Sequence, residues 1–194
     1  MAHIYDLMAW LLLRGREPAL RERMIDLARL RSGETVLDVG CGTGTLLIAA
    51  KQRVGIAGNV YGIDASQQMI GIAQSKARKI GADVTFQVGI VEALPFPDAH
   101  FDAVLSTLMI HHLPHEIRDS GVRQIARVLK PGGRVLAVDF VESGEHQHAL
   151  LRHLHRRRQL KAGELEAMFG RAGFNTIDAG AIGMANLHYV LAVK

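Results

Sequence analysis

The sequence predicts an α/β fold: a doubly wound, mostly parallel sheet of seven strands with helices on both faces and a helical cap ahead of it. From Thr35 onward, short β-branched runs alternate with helix-length stretches, the order of a parallel sheet. The first run closes on "GCGTG", residues 40–44, a turn suited to joining a strand to a helix. The second closes on an acid, Asp64, placed 20 positions beyond Gly44.

Each element follows from its residue pattern. Residues 3–13 set Ile4, Leu7, Met8 and Leu11 at helical spacing, and "ALRERMIDLARL" repeats the pattern with Leu20, Met24, Leu27 and Leu30. These two amphipathic helices form a cap over residues 1–31. The run "MAWLLLRG" is no signal or span: Asp6 precedes it, no basic region leads into it, and it is too short to cross a bilayer. Strands are expected at Thr35–Val39, Val60–Ile63, Val84–Val88, Phe101–Ser106 and Arg134–Asp139, with two more near Thr176–Asp178 and His188–Val193. Ser66 is placed to cap a helix carrying Met69, Ile70, Ala73, Ala77 and Ile80, and Pro114 opens another that ends at "LKPGG". With 194 residues, 48% of them apolar, and no repeat or long linker, the chain is read as one domain over 1–194.

Composition narrows the function. The one cysteine, Cys41, excludes an internal disulfide and a cysteine-cluster metal site, and it fits a reducing compartment, the cytoplasm. The formal charge of +4 is spread among acids and bases without a cationic tail, so nucleic acid is not indicated as a partner.

Ligands of such sheets sit at the carboxyl ends of the strands, where "GCGTG" falls. Gly40 and Gly42 would let the backbone turn and face a ligand, and Gly44 would allow close packing where the helix starts. A plain tight turn remains the alternative. Asp64 is suited to accept hydrogen bonds from both hydroxyls of a ribose. Nicotinamide-binding loops share that acid, but their glycines follow Gly-x-Gly-x-x-Gly, whereas this chain has Gly-x-Gly-x-Gly with Asp38 inside the strand end. An acid there repels a pyrophosphate and suits a cationic ligand.

The stretches "VLDVGCGTG", "VYGIDAS", "VEALPFPDAHFDAVLSTLMIHHL", "ARVLKPGGRVLAVDF" and "GELEAMFGRAGF", in this order, resemble the successive motifs of class I S-adenosylmethionine-dependent methyltransferases. The resemblance is strongest to the ubiquinone/menaquinone biosynthesis C-methyltransferase group and runs from about Gly33 to Lys194. It implies a Rossmann-like methyltransferase fold, S-adenosylmethionine as cofactor with S-adenosylhomocysteine as product, and methyl transfer to a small molecule. The O, N or C atom that receives the methyl group is left undetermined, as is the oligomeric state, a homodimer included. A non-catalytic protein that binds the cofactor or its product is the alternative, and an RNA methyltransferase a weaker one.

Carried over residue by residue, the resemblance puts the backbone of Gly40, Cys41, Gly42 and Gly44 against the methionine part of the cofactor. Asp38 stands near its ammonium group, and Asp64 holds the ribose. Ala65 and Met69 line the adenine, although packing explains Met69 equally well. Ser106 lies at the cofactor edge. The chain departs from the family at Ile90, where many relatives carry an aspartate that accepts from the adenine amine. Recognition would then rest on the Val91 amide and apolar packing, a loss worth about 0.5 to 1.5 kcal/mol.

His111 and His112 are candidate acid or base groups on the substrate side, with capping or packing as the alternative. No metal is expected: Pro114 interrupts His112 and His115, and no carboxylate completes a set. Residues 140–162 form a substrate-side insertion, with histidines at 146, 148, 153 and 155 and the cations Arg156, Arg157, Arg158 and Lys161. An anionic acceptor or a solvated face accounts for that charge. Tyr5 and His3 in the cap are candidates for touching the cofactor carboxylate and the substrate.

Overall fold

The computed structural model describes residues 17–141, 160–161, 163–183 and 186–194. A seven-stranded sheet runs through it, built from β1 (Thr35–Val39), β2 (Asn59–Asp64), β3 (Thr85–Val88), β4 (Phe101–Thr107), β5 (Leu129–Phe140), β6 (Asn175–Ala181) and β7 (Leu187–Val193). Its strand order is β3-β2-β1-β4-β5-β7-β6. The first five strands pair in parallel, and β7 enters antiparallel between β5 and β6. The chain winds outward from β1 to β3 and then crosses back to β4, so β1 and β4 flank the switch point.

Alternation along the buried strands explains the layers. In β1, Val36 packs into one core and Leu37 and Val39 into the other. Helices α1 (Glu17–Leu27), α2 (Thr45–Val54) and α3 (Gln67–Ile80) cover the first face, with Leu20, Met24, Leu47, Ala50, Ile70 and Ala73 buried there. Helices α4 (His115–Val128) and α5 (Glu164–Arg171) cover the second, burying Val122, Ile125, Leu165, Met168 and Phe169. The expected helices on both faces are therefore present. Ser66 caps α3, its hydroxyl accepting the Met69 N–H at 3.3 Å.

The amino edge of the sheet is tied by charge. Arg134 donates to both oxygens of Glu34, at 2.9 and 2.6 Å, and to the carbonyls of Ala28 and Arg29 that follow α1. Burial alone would raise the Glu34 carboxyl, but the Arg134 guanidinium and the Arg31 N–H outweigh it and hold it below the usual carboxylate range.

The expected first helix and the residues Tyr5 and His3 lie outside the described residues, as do the insertion's histidines and Arg156 to Arg158. The insertion's ends are described. Val141 and Leu160 meet in a parallel bridge at the end of β5.

Candidate cofactor and acceptor site

Four neighbouring strands each carry a polar group in their last two residues: Asp64 on β2, Asp38 on β1, Ser106 on β4 and Asp139 on β5. Strand ends are where a parallel sheet exposes its connecting loops, and side chains there gather around one crevice.

The glycine loop is lashed to the end of β2. The N–H groups of Gly40 and Cys41 donate to the Ile63 carbonyl at 2.8 and 2.9 Å. The Gly42 and Ser66 N–H groups donate to the two oxygens of Asp64, at 2.9 and 2.8 Å. Asp64 thus holds the loop, a role the residue spacing did not reveal, and each of its oxygens keeps lone-pair capacity for a ligand hydroxyl. Gly44 begins α2 with φ +75°, and a Cβ there would lie 2.6 Å from the Phe86 ring and 2.9 Å from Ala73. Close packing requires glycine at that position, as the spacing predicts. In front of Gly42 a Cβ would meet nothing within 4 Å among the described residues, so none of them fills the space before the loop backbone.

Cys41 contributes only backbone. Its thiol is buried, and burial together with the Asp38 and Asp64 charges pushes it far above its ordinary value.

Asp38 is 1% exposed, and its Oδ1 makes no hydrogen bond among the described residues. Burial, with a lesser push from Asp64, raises its pKa from 3.8 to about 7. The buried Ser106 hydroxyl is likewise without a partner. Orphaned buried polar atoms are costly, and a carboxylate in this state is matched by a cationic donor.

The flank at β3 is apolar. Val88 and Ile90 are exposed at 45% and 50%, Ala65 is exposed and Met69 half-buried. Val91 is buried against Gly121 of α4 and opens a short 3-10 turn, Val91–Ala93.

Past β4 the chain turns through Leu108, whose φ of +56° is left-handed, while its N–H donates to Val138 at 2.8 Å. That turn lays Met109 over Gly40 and starts a second 3-10 turn, Ile110–His112. His111 then meets Asp139 twice: its backbone N–H donates to Oδ2 at 3.0 Å, and its ring Nδ1 lies 2.5 Å from Oδ1. The Phe140 N–H also donates to Oδ1, at 2.8 Å, and Asp139 is fully buried. The His111 side chain keeps 16% exposure. His112 is exposed, its ring 3.8 Å from that of His111 and tilted by 41°. Sequence reasoning found the histidines but missed Asp139, Leu108 and Met109. The signal for Asp139 was an acid closing a strand next to the switch point, as Asp64 closes β2.

Among the described residues no group of three or more His, Cys, Asp or Glu is placed to hold a metal ion, and no helix is long and apolar enough to cross a membrane.

Comparison with known proteins agrees with this geometry. The model of the family described as methyltransferase domain matches residues 36–133. The ubiquinone/menaquinone biosynthesis C-methyltransferase of Pseudomonas entomophila is 36% identical over 138 residues, 70% of this chain and 53% of that protein. The chain therefore spans about half the length of the curated relatives it matches. An S-adenosylmethionine-dependent methyltransferase of Aquifex aeolicus superposes with a TM-score of 0.77 at 24% identity, covering 89% of this chain and 88% of that one. Phosphoethanolamine N-methyltransferase 2 of Haemonchus contortus, solved with S-adenosyl-L-methionine, gives 0.77 at 20% identity over 90% of this chain and 52% of that one.

The fold is that of class I S-adenosylmethionine-dependent methyltransferases. The residues fit that cofactor: a buried acid with one oxygen that finds no donor among the described residues could take an ammonium group, an acid with spare lone pairs a ribose, and an apolar rim a base. The chain belongs to the methyltransferase-domain family, whose match takes in the glycine loop, Asp64 and both histidines.

Proposed function

We propose that this chain methylates a small molecule, with a carbon of a quinone-type acceptor as the first class to test, after the name of its Pseudomonas relatives. The observation that supports it best is Asp38, buried beside the glycine loop with an oxygen that lacks a donor. In this reading Asp38 takes the ammonium group, the backbone of Gly40 to Gly44 lies along the methionine part, and Asp64 takes the ribose hydroxyls. Ala65, Met69, Ile90 and Val91 flank the adenine, and Ser106 donates from below.

When bound, S-adenosylmethionine supplies a methyl group whose bond to sulfur breaks as the acceptor's electron pair takes it, leaving a neutral thioether. The chain's own task is to orient the acceptor, exclude water and take its proton. His111 is the base in this reading, with His112 packed beside it. At a carbon of the reduced, quinol-type ring, a π pair of the ring forms the bond to methyl, and the C–H pair returns to the ring as its proton passes to the imidazole. A small-molecule partner and a cytoplasmic setting, consistent with the one reduced, buried cysteine, complete the reading.

Calorimetric titration with S-adenosylmethionine, S-adenosylhomocysteine and NAD tests it, on wild type and on Asp64→Ala. Saturable binding of the first two, weakened by the substitution, is expected, followed by methyl transfer to quinols, phenols or amines. Folded, ligand-free protein that binds neither would overturn it.

A further inference from the structure

We infer that Asp139 is a positioning residue: it fixes the tautomer of His111, placing the ring proton on Nδ1 and leaving Nε2 as the proton acceptor. This rests on the reading of His111 as the base.

The geometry is that of a fully committed carboxylate. Asp139 is buried at 0% exposure, and the described contacts of its two oxygens are with the His111 N–H, the Phe140 N–H and the His111 ring Nδ1. An ionised carboxylate has only acceptor sites, so the ring nitrogen facing it must carry hydrogen. In a neutral imidazole that leaves Nε2 bare. The backbone bond to Oδ2 and the ring bond to Oδ1 together fix the ring both in plane and along the chain. Because Leu108 is left-handed and Met109 rests on Gly40, the same short segment ties the ring to the glycine loop. The His111 side chain is not sealed off, keeping 16% exposure while Asp139 has none.

A purely structural role would ask only that Asp139 satisfy two backbone N–H groups at the end of β5. Asparagine and alanine together separate the two roles. With its amide oxygen in the place of Oδ1, asparagine still accepts from the Phe140 N–H and from Nδ1, and it loses only the bond from the His111 backbone N–H, so it keeps the tautomer. Alanine removes the acceptor facing Nδ1, so nothing holds the ring proton there and Nε2 is no longer kept bare.

The test begins on wild-type protein, so that no variant needs to fold. Nitrogen-15 NMR of labelled His111, assigned by its loss in His111→Ala, should show Nδ1 protonated and Nε2 bare in the uncharged ring. The reverse assignment would overturn the inference outright. In Asp139→Ala the proton should leave Nδ1 for Nε2 in a large share of the rings, and kcat should fall about a hundredfold or more with KM within a fewfold, whereas Asp139→Asn should keep the wild-type ring pattern. A folded Asp139→Ala with the wild-type ring pattern and kcat would overturn the inference. His111→Ala with turnover per folded molecule intact would instead overturn the reading of His111 as base, even if the ring pattern is as expected.

Discussion

A Cβ built on Gly40 would lie 2.4 Å from Cγ of Met109, so the first glycine of the loop is fixed by a side chain 69 positions further along the chain. Its φ of +76° adds a second demand for glycine. Gly40→Ala should therefore destabilise the protein by about 2 to 4 kcal/mol, combining left-handed strain with overpacking, and should weaken cofactor binding by displacing the loop. In a Met109→Gly background, which removes both clashing atoms, Cγ at 2.4 Å and Cβ at 2.8 Å, Gly40→Ala keeps only the strain. Urea unfolding of Gly40→Ala in both backgrounds should show part of the loss recovered in the second, and no recovery would mean that Met109 does not rest on Gly40.

Asp38 gives a pH dependence with a definite sign. The folded chain holds its proton up to about pH 7, whereas the unfolded chain releases it near 3.8. The folded state therefore binds more protons in that window, and ligand-free stability should fall as pH rises through it. Asp38→Asn should lie above wild type by a few kcal/mol at pH 8, on the order expected from 1.4 kcal/mol per pH unit, and close to it at pH 4. Binding of S-adenosylmethionine should move the other way, strengthening as Asp38 ionises around pH 7 and dropping at least tenfold in the variant. Thermal unfolding and calorimetry across pH 5 to 8.5 read both, and a flat binding profile would remove Asp38 from the ammonium site.

Ile90 is exposed on the apolar flank, in line with the sequence departure at this position. Replacing it by aspartate restores an acceptor for an exocyclic amine. Cofactor affinity should rise by a factor of about 2 to 10, the equivalent of one neutral hydrogen bond, with stability unchanged. An unchanged dissociation constant in a folded Ile90→Asp would mean that residue 90 does not face the adenine.

At the opposite edge of the sheet, Arg134→Ala should cost about 2 to 4 kcal/mol at pH 7, since it strands Glu34 and two carbonyls at once. Because Glu34 is held below its ordinary value of 4.5 in the fold, the contribution of the pair is present above that pH and is lost as pH falls through the folded value. Chemical denaturation at pH 7 and at pH 3.5 should show the gap between variant and wild type narrowing in acid. Cofactor binding should be unaffected per folded molecule, because none of these groups reaches the carboxyl edge.

The parallel strands were legible because fully buried β-branched runs have few other readings. Thr35–Val39 matches the expected span, β2 runs one residue beyond its own at each end, and β3 and β4 differ from theirs by one residue at one end. β5 starts earlier than its pattern suggests, at Leu129, because that residue pairs with Phe101 before a register shift carries the strand past Pro131. β6 is longer than expected since "DAGA" has little strand preference of its own, and its pairing is imposed by β7. In the site, Asp38, Asp64 and the glycines could be read because chain-local spacing places them. Asp139 could not, because its partner is set by a left-handed residue at 108, and no pattern in "STLMIHH" marks Leu108 for that conformation. Likewise the partners of Gly40 and Gly44, Met109 in the turn past β4 and Phe86 on β3, come from distant parts of the chain and leave no mark near the loop.

Val141 and Leu160 meet in a parallel bridge just past the end of β5, so the two ends of the stretch between them are held side by side. Lengthening or trimming such a segment changes the entropy of closing it only logarithmically, by about 0.6 kcal/mol for each doubling. The sheet, the glycine loop and the His111–Asp139 pair can therefore stay unaltered while the stretch between the bridged residues is exchanged, leaving this part of the chain free to diverge faster than the framework that carries it.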